Sequence, residues 1–312
     1  MVFLQTLQVV APVFILAFVG LFLKKIRLMN PSFVNMSSKL VFNVALPCLV
    51  FVKLSVVDLS RLFHPELIIY IYIMTIAPFL LVWLFAHIWI QQGENLGAFV
   101  QGSFRSNFSI VGFAVILNLY GESGLTLAAV ILAFTMPLYN LLAIIVLTMT
   151  THQKKLPLRT LLFRMITNPL MISVLISVIF SLLHWRLHPV LFSTAEILSR
   201  LTLPLALLGI GGSLNLEAIR NASKMAVSAS ILKIVLIPAI STYGAICFGF
   251  QGQELGILFV LFACPTAVSS FIMADAMGAN DKLAGNIILI STLGATFTIT
   301  AGIVILKSLG FI

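Results

Sequence analysis

Two short polar runs interrupt otherwise apolar stretches of this chain: Arg105-Ser106-Asn107-Phe108-Ser109 and Cys264-Pro265-Thr266-Ala267-Val268-Ser269-Ser270. Ionisable groups are costly in apolar surroundings and by default mark function there. The planar guanidinium of Arg105 can hold a carboxylate through two hydrogen bonds, so Arg105 is read as the counter-ion of an anionic ligand. The competing reading pairs it with a carboxylate or with the carbonyls of a broken helix. The amide of Asn107 and the hydroxyls of Ser109, Thr266, Ser269 and Ser270 can bind the same ligand, or can bond back to their own helix. Pro265 lacks an N–H and crowds the preceding turn, which opens the helix at the site. Asn43, one turn before Pro47, is a further ligand candidate. Lys233 either neutralises helix ends near Pro238 or senses ligand charge, structural support being preferred. Asp275 carries a coupling proton or cation, or else sits at headgroup level.

Other groups carry less. His184 and His188 stand at i, i+4, but Pro189 and the interfacial Trp185 make a membrane-surface turn rather than a metal pair. Glu196 and Arg200 share a helix face and are read as a neutralised pair pointing into the bundle. Gly209-Ile210-Gly211-Gly212 has no strand before it, so close helix packing explains it better than a nucleotide loop. The glycosylation sequons at Asn35, Asn107 and Asn221 are chance matches. Cys48, Cys247 and Cys264 fit neither a zinc site nor a disulfide framework. There is no H-E-x-x-H, no phosphate loop and no pair of carboxylates in one apolar block. No enzyme activity, cofactor or metal is expected.

The elements that position these residues follow from composition. Of 312 residues, 61% are hydrophobic and 9% charged, against about 45–50% and about 25% for a soluble domain. A soluble globule, a disordered chain and a disulfide-knit secreted module are excluded. Ten apolar blocks fall near 3–23, 33–56, 67–89, 97–119, 125–150, 165–184, 190–213, 225–248, 256–277 and 284–309, each near the length that spans a bilayer. The first is too long and continuous for a cleavable signal, and its basic residues follow rather than precede it. The net charge of +9 comes from Lys and Arg gathered between blocks, which answers to membrane topology and not to nucleic acid. Alternate breaks hold Lys24, Lys25, Arg27, Lys154, Lys155, Arg159, Arg164, Arg220, Lys224 and Lys282. The opposite set, with the two termini, holds chiefly Arg61, Arg186 and Lys307, plus Lys53 if it lies outside the second helix. The positive-inside rule then puts both termini outside the cytoplasmic membrane.

The longest polar break, 151–164, divides the blocks five and five. Pro12 and Pro169, Pro47 and Pro204, and Gly121 and Gly278 all stand at the same offset of 157 residues. Pro78 and Pro238 follow at 160. Halves with an odd number of spans must run oppositely through the membrane, so residues 1–150 and 165–312 are expected to be inverted repeats, with a cytoplasmic connector between them. That is an architecture of secondary transporters, which hold substrate where interrupted helices meet. Polar residues gathered at one depth favour a carrier over a channel.

The chain resembles the auxin efflux carrier family, which joins bacterial malate and malonate permeases to plant PIN-type carriers. The resemblance rests on Asn43-Val-Ala-Leu-Pro47, Arg105-Ser-Asn107 with Gly112 and Tyr120-Gly121, and Thr167-Asn-Pro169. It continues through Leu203-Pro204 to Gly212, Ile237-Pro238, Pro265 to Ser270, and Ser291-Thr292. It implies an all-α polytopic protein of ten transmembrane helices, a scaffold and a transport domain each drawn from both repeats, and crossed, interrupted helices 4 and 9 around a small organic anion. PIN-type relatives also imply a homodimer through the scaffold. The fourth block has no proline where PIN-type carriers have one, so its interruption would rest on Gly102, Gly112 and the Arg-Ser-Asn run. The connector is too short to be the long cytoplasmic loop of the best-known plant members. The alternative is a sodium- or proton-coupled symporter or antiporter of the same crossed-helix architecture with another substrate.

Overall fold

The computed structural model describes residues 2–57, 64–91, 93–151, 163, 167–214 and 223–312. Arg61, Lys154, Lys155, Arg159, Arg164, Arg220 and Asn221, with most of the connector 151–164, lie outside the described residues. The described residues form helices and no strand: α1 (Val2–Lys25), α2 (Pro31–Leu54), α3 (Pro65–Trp89), α4 (Gly93–Phe104), α5 (Phe108–Thr150), α6 (Pro169–Leu182), α7 (Pro189–Ser213), α8 (Lys224–Cys247), α9 (Gly252–Ala263), α10 (Ser269–Ala276) and α11 (Asp281–Ser308). Six of these (α2, α3, α5, α7, α8 and α11) are long and apolar enough to cross a membrane.

Helix starts follow local chemistry. Asn30, Asn168, Ser223 and Asn280 cap α2, α6, α8 and α11 by accepting a backbone N–H from the first turn, and Pro31 and Pro169 take the position where a missing N–H costs nothing. Inside α2 and α8, Pro47 and Pro238 follow π-helical turns at Val41–Ala45 and Leu232–Leu236, where Leu46 N–H and Ile237 N–H reach back five residues to Val41 and Leu232. A wider turn relieves the clash between a proline ring and the carbonyl four residues before it. Helix α5 folds back on itself at Gly121, whose φ of 65° and ψ of −153° are open to glycine.

The helices form two groups, joined where α1 touches α5 and α11 and where α2 and α7 touch α5. In one, α1 lies along the second half of α7, and α2 packs on α6 and α7. The backbones of α1 and α7 approach so closely that a Cβ on Gly211 would collide with the Ala17 carbonyl, which accounts for the glycine run as packing. In the other, α4 contacts α3, α5, α8 and α11, while α9 contacts α5, α8 and α11. From Leu96 to Phe104 and from Leu255 to Ala263 every residue is buried, so the short helices α4 and α9 form the centre of this set. An ion pair between Lys53 and Glu122 links the end of α2 to α5.

Ile15, Phe18, Leu80, Leu81, Leu84, Leu175 and Ile176 are exposed on the outer helices; so much apolar surface suits lipid and not water. Two expectations need correction. Pro12 lies inside α1 whereas Pro169 opens α6, so this pair, unlike Pro47 and Pro204, does not occupy equivalent places. Glu196 and Arg200 do pair, at 3.1 Å, but their side chains are exposed rather than turned into the bundle, because buried Ser199 and Thr202 take the inner positions of α7.

Candidate functional site

Helix α4 stops at Phe104 and α5 begins at Phe108; α9 stops at Ala263 and α10 begins at Ser269. The second stop has a local cause, since the residue before a proline is driven out of the helical region, and Cys264 takes φ −56°, ψ 145°. The first stop has no proline. It is held from across the fold: Ser106 and Thr266 form an isolated antiparallel bridge, and Asn107 N–H donates to the Pro265 carbonyl at 2.8 Å.

Each break caps the other. A helix end leaves carbonyls without partners, and in an apolar interior these must be met. The Thr266 hydroxyl donates to Gly102 of α4 at 2.6 Å, and the Ser106 hydroxyl donates to Leu261 of α9 at 2.6 Å. Lys233, fully buried, donates from Nζ to Phe262 at 2.6 Å. Thr266 N–H donates to Ser291 Oγ at 3.1 Å.

Arg105 follows α4 directly. It is 6% exposed, and its guanidinium donates to Asn140 Oδ1 on α5 and to the Met273 sulfur on α10. Among the described residues the ion pairs are Lys53–Glu122, His64–Glu254 and Glu196–Arg200, so no carboxylate neutralises Arg105.

Comparison with known proteins decides what kind of molecule carries this arrangement. A family model described as membrane transport protein matches residues 6–303. The chain belongs to that family, the auxin efflux carriers. It is 24% identical over 294 residues to an uncharacterized transporter of Methanocaldococcus jannaschii, covering 92% of this chain and 94% of the relative. It is 23% identical over 299 residues to an uncharacterized transporter of Methanothermobacter thermautotrophicus, covering 94% and 96%.

In this transporter-family member the structure brings most of the candidate residues to the paired breaks. Arg105, Asn107, Pro265, Thr266 and Ser270 are buried at the paired breaks, with Ser109 and Ser269 half-buried beside them. Thr266 and Lys233 spend their donors on helix carbonyls, which places them as supports of the breaks. Asn43 and Asp275 are not brought there. Asn43 is exposed on α2 and donates to the Lys39 carbonyl of its own helix at 2.9 Å. Asp275 is exposed near the end of α10, where its carbonyl accepts Gly278 N–H. Three contributors went unread in the sequence: Gln101, Asn140 and Met273. A signal for two of them was present, since Gln101 and Asn140 are amides within apolar helices and Gln101 stands four residues before Arg105. Their common site depends on the packing of α4, α5 and α10.

Proposed function

We propose that this membrane transport protein carries a small organic anion, a carboxylate, across the cytoplasmic membrane by alternating access, holding it at the paired breaks with Arg105 as counter-ion. The observation that carries the reading is a buried guanidinium with only neutral partners. Isolated charge in a protein interior costs several kcal/mol, and an arriving carboxylate would remove that cost through charge-assisted hydrogen bonds. Asn107 and Ser109 beside it, and Ser269 and Ser270 at the start of α10, would complete the ligand's surroundings.

The architecture in this proposal is ten membrane crossings, with α4 and the first limb of α5 as the fourth and α9 with α10 as the ninth. Residues 1–150 and 165–312 are inverted repeats, and both termini lie outside. Support comes from Pro47 and Pro204 in the second halves of α2 and α7, Pro78 and Pro238 near the middles of α3 and α8, and Gly121 and Gly278 at φ 65° and 70° after each broken helix. The set containing α1, α2, α6 and α7 serves as scaffold and dimer surface, and the set built on α4 and α9 moves the anion. Uptake of labelled mono- and dicarboxylates into proteoliposomes tests the reading. Counterflow exchange of a carboxylate is expected, and its absence across the panel sinks the proposal.

A further inference from the structure

Gln101 and Ser270 carry polar atoms that the fold leaves unmatched. They are 1% and 0% exposed, yet Gln101 Oε1 and Ser270 Oγ have no hydrogen-bond partner. The direction of the Gln101 amide is settled by its other end. Its Nε2 donates to the Ser270 backbone carbonyl at 3.2 Å; turning the amide over would set oxygen against oxygen. Gln101 Oε1 is therefore a fixed, free acceptor. Buried acceptors are nearly always matched, and an exception calls for a reason.

These atoms lie on the seam that holds Arg105. Arg105 N–H still bonds to the Gln101 carbonyl at 3.2 Å, so the two side chains leave neighbouring turns of one face of α4. Across the seam, Met273 receives the guanidinium and stands one turn after Ser270 on α10. A charged donor and an unmatched acceptor with a hydroxyl thus line adjacent turns of the α4–α10 contact. A metal cation at Gln101 Oε1 would sit one turn from an uncompensated guanidinium, which Coulomb repulsion opposes.

We infer that Gln101 and Ser270 are specificity-determining residues, which receive a hydroxyl carried by the ligand beside its carboxylate. The inference rests on the reading of Arg105 as the carboxylate's partner. Gln101 Oε1 accepts the ligand's O–H, and Ser270 Oγ donates its own hydrogen to the same oxygen. An analogue without the hydroxyl leaves a buried acceptor bare, which is how polar sites reject such analogues.

The test is calorimetric titration of the purified full chain in nanodiscs with matched pairs, lactate against propionate and 3-hydroxybutyrate against butyrate. The wild-type protein is expected to prefer the hydroxyl-bearing member of at least one pair by about tenfold. Gln101→Met and Ser270→Ala should each bring that ratio toward unity. If the wild type binds both members equally, the anion reading stands and this inference falls, the atoms being matched by water. A ratio that persists in both variants overturns it as well. If the wild type binds none of the four, the inference falls, and the anion reading falls with it only if the mono- and dicarboxylate panel also shows no counterflow.

Discussion

The break between α4 and α5 and the break between α9 and α10 do the same structural work by different means. The second carries its own instruction, Pro265, which no helix tolerates mid-run without losing a hydrogen bond. The first contains only Arg105, Ser106 and Asn107, none of which forbids a helix, and it exists because Ser106 and Asn107 find partners across the fold. The cations differ too. Lys233 arrives from α8 and is bound to the carbonyl end of α9, whereas Arg105 leaves the end of α4 and meets an amide and a thioether. A positive charge at a helix carboxyl end is favourable, but only Lys233 is bonded to the carbonyls. The two breaks therefore share a shape and differ in their cations: one is bonded to a helix-end carbonyl, and the other, in the proposed function, is the ligand's partner.

The largest effect should come from breaking that division on the Arg105 side. Arg105→Ala is expected to abolish carboxylate uptake in proteoliposomes while the protein still reaches the membrane. Arg105→Lys should recover only part, because a point charge loses the two-pronged geometry. Wild-type uptake by Arg105→Ala would make both cations structural and erase the contrast.

Next in size is Lys233→Met, which removes the donor from the Phe262 carbonyl at the end of α9. An unmatched buried acceptor costs roughly 1–3 kcal/mol, so the melting temperature in detergent should fall by several degrees. A variant that melts like wild type but no longer transports would move Lys233 from support to ligand.

The hydroxyls supply a matched pair. Thr266→Val strips the Gly102 carbonyl and Ser106→Ala strips the Leu261 carbonyl, each at roughly 1–3 kcal/mol. Ser106→Ala is expected to be the more damaging, since the first break has no proline to keep it open. Thermal melts of both variants, side by side, decide the order.

The smallest effect is expected from Pro265→Ala. If cross-fold bonds suffice to open a helix without proline at Arg105–Asn107, they should also keep the second break open, leaving uptake within a few-fold of wild type. Refolding of α9 and α10 into one continuous helix, seen in a structure of the variant, would show that the proline and not the mutual capping opens the second break.

Much of this was legible in residue order. Apolar blocks the length of a bilayer, the polar runs within two of them and the turn at Gly121 are properties of short stretches, set by hydropathy and backbone sterics. The family likeness likewise lies in short motifs read in sequence. The fate of each polar side chain was not legible. Thr266 and Ser270 are four residues apart and chemically alike, yet one hydroxyl is bound to α4 and the other is unmatched. Asn43 opens a family-like motif and is exposed, while Gln101 and Asn140, in no motif, converge on Arg105 and its seam. Sequence spacing fixes which face of a helix a side chain leaves from, but its partner belongs to another helix, and only packing brings that helix within the 3 Å or so of a hydrogen bond.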